Sequence, residues 1–159
     1  MFNVEILVAN PGINTDPDRN FSYDDIHTIN AIQRSFKSFQ VNPNTHPRLI
    51  DLYSGDGPIA KMTADMGWLP ENITCVDLYT PATPVIKGVH WSYINLNNLA
   101  FALRLNEPLP PQVEQYRHTF DVVTDWLGFL YTKQRDIPII HHFFARPGGY
   151  ILNEGIVKE

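Results

Sequence analysis

Residues 48–79 read RLIDLYSGDGPIAKMTADMGWLPENITCVDLY, the order of a strand, a glycine turn, a helix and a second strand. The apolar run Leu49 to Tyr53 carries one interior acid, Asp51, and breaks at Gly55-Asp56-Gly57, where two glycines let the backbone turn tightly and approach a ligand. Pro58 suits the first position of a helix because its missing N–H would have no partner there, and Asp56 or Gly57 can cap it. Ile59, Met62 and Met66 recur at helical spacing until Gly67 stops the helix, and Asn72 to Leu78 reads as the next strand. Asp77 follows Gly57 by twenty residues, a spacing that sets a carboxylate beside the glycine loop, within reach of a ribose diol. Gly55-x-Gly57-x-x-Ala60 also satisfies a dinucleotide pattern, and a plain α/β turn without ligand would read alike. Burying Asp51 in a strand without a partner would cost roughly several kcal/mol, so it is expected to serve a ligand or backbone donors.

Asp51-x-x-x-Gly55-x-Gly57 resembles the first motif of class I S-adenosylmethionine-dependent methyltransferases, and Asp77 stands where that family has its ribose-binding acid. HTFDVVTD (118–125) is similar to the fourth strand with its terminal acid, and ARPGGYIL (145–152) to the turn into the fifth. The resemblance runs from Arg48 to about Val157. It implies a Rossmann-like, doubly wound α/β fold with a mainly parallel sheet and helices on both faces. It also implies an S-adenosylmethionine site built from Asp51, Tyr53, Gly55, Asp56, Gly57, Asp77, Leu78 and Asn95. In that arrangement Asp51 and the glycine loop face the methionine end, Leu78 packs on the adenine, and Asn95 meets the adenine amino group from the end of a third strand, Val89 to Ile94.

Acceptor chemistry is expected in the loop after the fourth strand, because ligands of open parallel sheets lie beyond the carboxyl ends of the strands. That loop reads Asp125-Trp126-Leu127-Gly128-Phe129-Leu130-Tyr131. It lacks the Asn/Asp-Pro-Pro-aromatic signature of the family's amino-methylating members. Glu154 stands where a 2′-O-methylating member would carry lysine. A small molecule or a protein side chain remains as acceptor, with Asp125 as candidate base and Trp126 and Tyr131 as candidate substrate contacts. The alternative is a catalytically inactive, methyltransferase-like binding or scaffold subunit that works with a partner chain.

Composition agrees with one globular domain of 159 residues at 43% hydrophobic and 18% charged content, divided into an N-terminal strand and loop (1–20) and the cofactor-binding region (21–159). No apolar run approaches the ~20 residues of a membrane-spanning helix. The net charge of −5, with lysines and arginines scattered, disfavours a nucleic-acid grip. Arg34, Lys37 and Arg48 read as solvated. A lone cysteine, Cys75, within the second strand fits a buried thiol and a reducing, cytoplasmic compartment.

Phe21 to Gln40 reads as an amphipathic helix, with Ser22-x-x-Asp25 as cap and Ile26, Ile29, Ile32, Phe36 and Phe39 on its apolar face. Phe21 and Tyr23 are placed to pack there or to touch the cofactor. Asn10 to Asn20 reads as loop, Leu96 to Leu105 as a helix stopped by Pro108, Pro110 and Pro111, and Asp136 to Ala145 as a further helix. On that helix His141 and His142 point about 100° apart, so no metal pair is expected and each reads as a surface or core-edge histidine. Only six residues follow Asn153, whereas the family continues with a helix and an antiparallel hairpin, so a short form or a fragment with an open sheet edge is expected. Asn3 to Ala9 is a strand candidate for that edge; a second copy or another protein is the other way to cover it.

Overall fold

Five strands form one parallel sheet, and three of them are buried along their whole length. The computed structural model describes residues 12–13, 26–80 and 86–153. In chain order the elements are β1 (Gly12–Ile13), α1 (Ile26–Ser38), β2 (Leu49–Leu52), α2 (Pro58–Asp65), a 3₁₀ turn (Pro70–Asn72), β3 (Ile73–Asp77) and β4 (Tyr79–Thr80). Then come β5 (His90–Tyr93), α3 (Leu96–Arg104), α4 (Pro111–Glu114), β6 (Phe120–Asp125), α5 (Gly128–Tyr131), α6 (Ile137–Phe144) and β7 (Ala145–Asn153).

The main sheet has the order β5-β3-β2-β6-β7, every pairing parallel. The chain starts in the middle at β2, moves outward to β5, and returns to lay β6 on the other side of β2. Right-handed crossovers then force the helices of the outward and return journeys onto opposite faces. The packing agrees: α2 lies against α1 and β3, while α3 packs on α6, which covers β6 and β7. The fold is therefore a Rossmann-like, doubly wound α/β sheet, with its order reversing between β2 and β6. Strands covered on both faces read as continuous apolar runs, and β2, β3 and β6 are buried throughout. The edge strands β5 and β7 are mostly half-buried.

Beneath one face, Ile32 and Phe36 of α1 are buried, and the Phe36 ring meets Trp68 edge-on at 5.5 Å. The Trp68 indole N–H donates to the His46 carbonyl at 2.8 Å, which satisfies the ring's one polar atom inside the core. Phe39, assigned by periodicity to the buried stripe, is 55% exposed. The helix ends at Ser38, and once the 3.6-residue repeat stops, the next apolar residue no longer faces inward.

Gly12 and Ile13, read as loop, pair in parallel with Tyr79 and Thr80, because the chain leaving β3 stays extended and offers unpaired backbone groups. Pro111 does more than stop a helix; it starts the short α4, where its fixed φ suits the first position. The loop after β6 contains the single turn α5. The strand expected at Asn3 to Ala9, the Ser22–Asp25 cap, Phe21, Tyr23 and Glu154 lie outside the described residues. Among the described residues no helix is long and apolar enough to cross a membrane. Cys75 is fully buried in β3, and burial pushes its thiol well above the ordinary range.

Candidate functional site

The glycine loop leaves β2 at the point where the sheet order reverses, and it is tied down from β3. The Ser54 N–H donates to the Val76 carbonyl at 3.1 Å, and the Ser54 hydroxyl donates back to the Asp51 carbonyl at 2.7 Å. The Gly55 N–H then donates to Asp77 Oδ2 at 2.8 Å, while Asp77 Oδ1 accepts from the Leu78 N–H at 2.6 Å. The carboxylate at the end of β3 thus lies directly against the loop after β2, which local spacing alone had indicated. Tyr53, Gly55 and Gly57 all have positive φ, at 58°, 59° and 85°. Gly57 is the residue before α2, with no side-chain cap, so of the two caps considered the structure uses glycine and not Asp56. Asp56 is half-exposed at the loop tip.

Tyr53 is a non-glycine residue in the left-handed region, which costs of order 1–3 kcal/mol unless its surroundings hold it. They do hold it. Its ring stacks on Tyr131 with centroids 6.0 Å apart and planes 19° from parallel, and its hydroxyl bonds the Thr132 hydroxyl. The turn after β2 is thereby joined to the turn after β6 across the point of reversal. Burial raises the Tyr53 phenol above its ordinary range.

Asp51 is 0% exposed. Its Oδ1 accepts from the Thr124 hydroxyl at 2.7 Å, and Thr124 is its register partner on β6. Its Oδ2 has no partner among the described residues. Burial pushes the Asp51 carboxyl up to about 7, the Thr124 bond pulls it down, and the charge of Asp125 pushes it further up. A carboxyl half of whose acceptor capacity is unused, in a strand interior, is the orphaned group a cationic ligand would suit.

Asp125 ends β6 and is 3% exposed. Its Oδ1 accepts from the Gly128 N–H at 2.7 Å, and its Oδ2 lies 2.6 Å from His141 Nε2. A Cβ on Gly128 would come 2.7 Å from the Asp125 carboxyl carbon, so glycine is required for the turn to close on the acid. His141, read as a surface or core-edge histidine, is as buried as Asp125, because the inward face of α6 carries it onto the sheet. His142, one position on, is exposed.

Asn95 caps α3, its Oδ1 accepting from the Asn98 N–H at 3.1 Å; a second lone pair on that oxygen remains. Leu78 is half-buried after β3. Trp126 is buried, and its indole N–H has no partner among the described residues. It does not join the Tyr53–Tyr131 stack. The structure therefore gathers Asp51, the glycine loop, Asp77 and Tyr53 with Tyr131 at one end of the sheet. Thr124, Thr132 and His141, the partners of Asp51, Tyr53 and Asp125, carry no local sequence signal that pairs them; among the described residues, no three or more His, Cys, Asp or Glu side chains are placed to hold a metal ion.

No protein-family model matches the chain. No curated protein matches it either. Among solved structures it is similar to the methyltransferase MycE of the mycinamycin biosynthetic pathway, in a crystal form containing magnesium and SAH, with a TM-score of 0.52 and 16% identity. The chain shares the fold of a methyltransferase. The match covers 89% of this chain and 35% of MycE, so the chain spans about a third of that protein's length.

Proposed function

We propose that the chain is an S-adenosylmethionine-dependent methyltransferase acting on a small molecule or a protein side chain. The observation that carries this reading is the Asp77 carboxylate seated on the Gly55 N–H across the carboxyl ends of β2 and β3, in a fold shared with a methyltransferase. A carboxylate fixed there stands at the position from which a ribose diol is held, and a loop with buried glycines at positive φ admits the cofactor close to the backbone.

The donors and acceptors fit the cofactor. Asp51 Oδ2 offers an unpaired acceptor to the cationic methionine end, and Asn95 Oδ1 keeps a lone pair for the adenine amino group while capping α3. Leu78 supplies an apolar side for the adenine. Bound, the cofactor supplies an electrophilic methyl group on sulfur. The chain's part is then positioning, worth up to roughly 7–11 kcal/mol, and the exclusion of water. Tyr53 and Tyr131, stacked over the gap between β2 and β6, form a wall on the acceptor side.

Asp125 is poorly placed to take a proton from an acceptor, because both its oxygens are already engaged by Gly128 and His141. That engagement favours an acceptor that needs no proton removed before attack. It equally favours the second reading, a methyltransferase-like subunit that binds the cofactor and serves a partner chain.

The test is titration of S-adenosylhomocysteine by calorimetry and thermal shift. Ligand at 100 times its dissociation constant should stabilise the fold by about 2.7 kcal/mol. Asp77→Ala should weaken binding by roughly 1.5 to 3 kcal/mol, the range for a hydrogen bond to a charged group. Absence of any shift at millimolar ligand overturns both cofactor-based readings, and transfer assays on candidate acceptors separate enzyme from scaffold.

A further inference from the structure

The end of the sheet opposite the glycine loop carries two clefts with a common wall. One, of about 370 Å³, is floored by Leu103, Pro138, Ile139 and Phe143. The other, of about 300 Å³, is bordered by Arg146, Gly148, Gly149 and Ile151. His118 and His142 line both, so the two form one groove with an apolar arm and a polar arm. No Asp or Glu lines either arm, in a chain whose net charge is −5.

His118 is fixed before any ligand arrives. Its φ is 54°, its N–H donates to the Phe143 carbonyl at 2.7 Å, and its Nδ1 lies 3.0 Å from the Ala145 carbonyl. A carbonyl can only accept, so Nδ1 carries the proton and Nε2 is left to a ligand as an acceptor. Arg117 lines the apolar arm with its guanidinium 4.9 Å over the Phe143 ring; its Nε and Nη2 bond Glu114, which leaves Nη1. Arg146 uses Nε on Asp121 and Nη1 on the Pro147 carbonyl, which leaves Nη2. Glu114 and Asp121 thus hold the two guanidiniums in place without using all their donors. Above Gly148, whose φ is 79°, a Cβ would meet nothing within 4 Å, so the space over the polar arm is open.

His142, Arg117 and Arg146 each keep a donor, with the two histidines lining both arms, Arg117 the apolar one and Arg146 the polar one; three donors suit the three oxygens of a phosphate, whose own O–H can donate to His118 Nε2. An apolar arm beside them suits the alcohol part. We propose that the groove shared by His118 and His142 binds a phosphate monoester of an apolar alcohol, with the phosphoryl oxygens among His118, His142, Arg117 and Arg146 and the organic group over Ile139 and Phe143. It lies at the opposite strand ends from the cofactor region, so it stands independently of the methyltransferase reading.

Phenyl phosphate is the probe, titrated into the full chain by calorimetry with the histidine ring signals followed by NMR. It should bind saturably, at least tenfold more tightly than inorganic phosphate, while phenol shows no saturable binding. His142→Glu, at an exposed position, should weaken phenyl phosphate at least tenfold with little change in thermal unfolding. Ile139→Asp should weaken phenyl phosphate more than inorganic phosphate. Prior addition of S-adenosylhomocysteine should leave the titration unchanged. Failure to saturate at millimolar phenyl phosphate overturns the site, as does indifference to both substitutions or competition by S-adenosylhomocysteine. Equal affinity for inorganic phosphate overturns the apolar arm. If a phosphopeptide binds and phenyl phosphate does not, the occupant is a protein segment and the proposal fails.

Discussion

His141 Nε2 sits 2.6 Å from Asp125 Oδ2, two residues each 3% exposed, and this contact joins the middle of α6 to the carboxyl end of β6. With the Gly128 N–H on the other oxygen, the acid is a joint between strand, turn and helix. His141→Ala would strand a buried carboxylate oxygen, so a loss of about 3 kcal/mol is expected by urea denaturation. His141→Gln, which retains a donor, should lose less. A His141→Ala protein as stable as the wild type would mean that the pair contributes nothing.

Asp51 gives stability a pH dependence of defined sign. Its folded-state carboxyl is raised from 3.8 to about 7, so between these values the folded chain binds more protons than the unfolded chain. Stability contributed by this group is therefore fully present at low pH and falls as pH rises through the window, by up to roughly 4 kcal/mol in all. Asp51→Asn keeps an oxygen for the Thr124 hydroxyl and removes the titration. Urea midpoints for Asp51→Asn should change less between pH 5 and 7 than those of the wild type. Parallel curves for the two proteins would show that Asp51 stays ionised.

The legible and illegible parts of this site differ in how far apart their residues lie. Gly55, Gly57 and Asp77 belong to one strand–helix–strand unit, whose geometry follows from turn chemistry and helix length, so the contact of Asp77 with the loop could be anticipated. Thr124 could not be assigned to Asp51 in the same way. Their pairing depends on β6 returning to lie beside β2 in one register, and a shift by one residue would turn Thr124 to the other face. For His141 and His142 the helix period fixed the angle between them but not which one faces the sheet; the packing of α6 on β6 and β7 decides that. Tyr53 carried no sign of its left-handed backbone, since non-glycine residues adopt it only where tertiary contacts, here with Tyr131 and Thr132, hold them.

Gly57, at a φ of 85°, separates backbone strain from ligand clearance. Asparagine tolerates the left-handed region better than other residues, so Gly57→Asn should cost the fold only about 1 kcal/mol. The same side chain stands where the proposed cofactor meets the backbone, and S-adenosylhomocysteine affinity should fall at least tenfold by calorimetry. Gly57→Val should lose both stability and binding. Unchanged affinity in a folded Gly57→Asn protein would show that the loop does not face the cofactor.

Gly148 and Gly149 are adjacent but required for different reasons. β7 pairs with β6 at Ala145 and again at Tyr150, and between these points Arg146 to Gly149 loop out against only Asp121. Gly148 has a φ of 79° with open space around it, so Gly148→Ala should cost only the left-handed penalty, roughly 1–2 kcal/mol. A Cβ on Gly149 would lie 3.0 Å from the carbonyl oxygens of both Arg146 and Asp121 and 3.1 Å from that of Phe120, all backbone atoms that cannot rotate away. Gly149→Ala must therefore shift β7 against β6 by a few tenths of an ångström and should cost more than Gly148→Ala, up to about 3 kcal/mol. Chemical denaturation of the two variants compares them directly. Hydrogen exchange at Tyr150 to Leu152 should accelerate in Gly149→Ala alone, and equal exchange in both variants would mean that this close approach does not set the pairing.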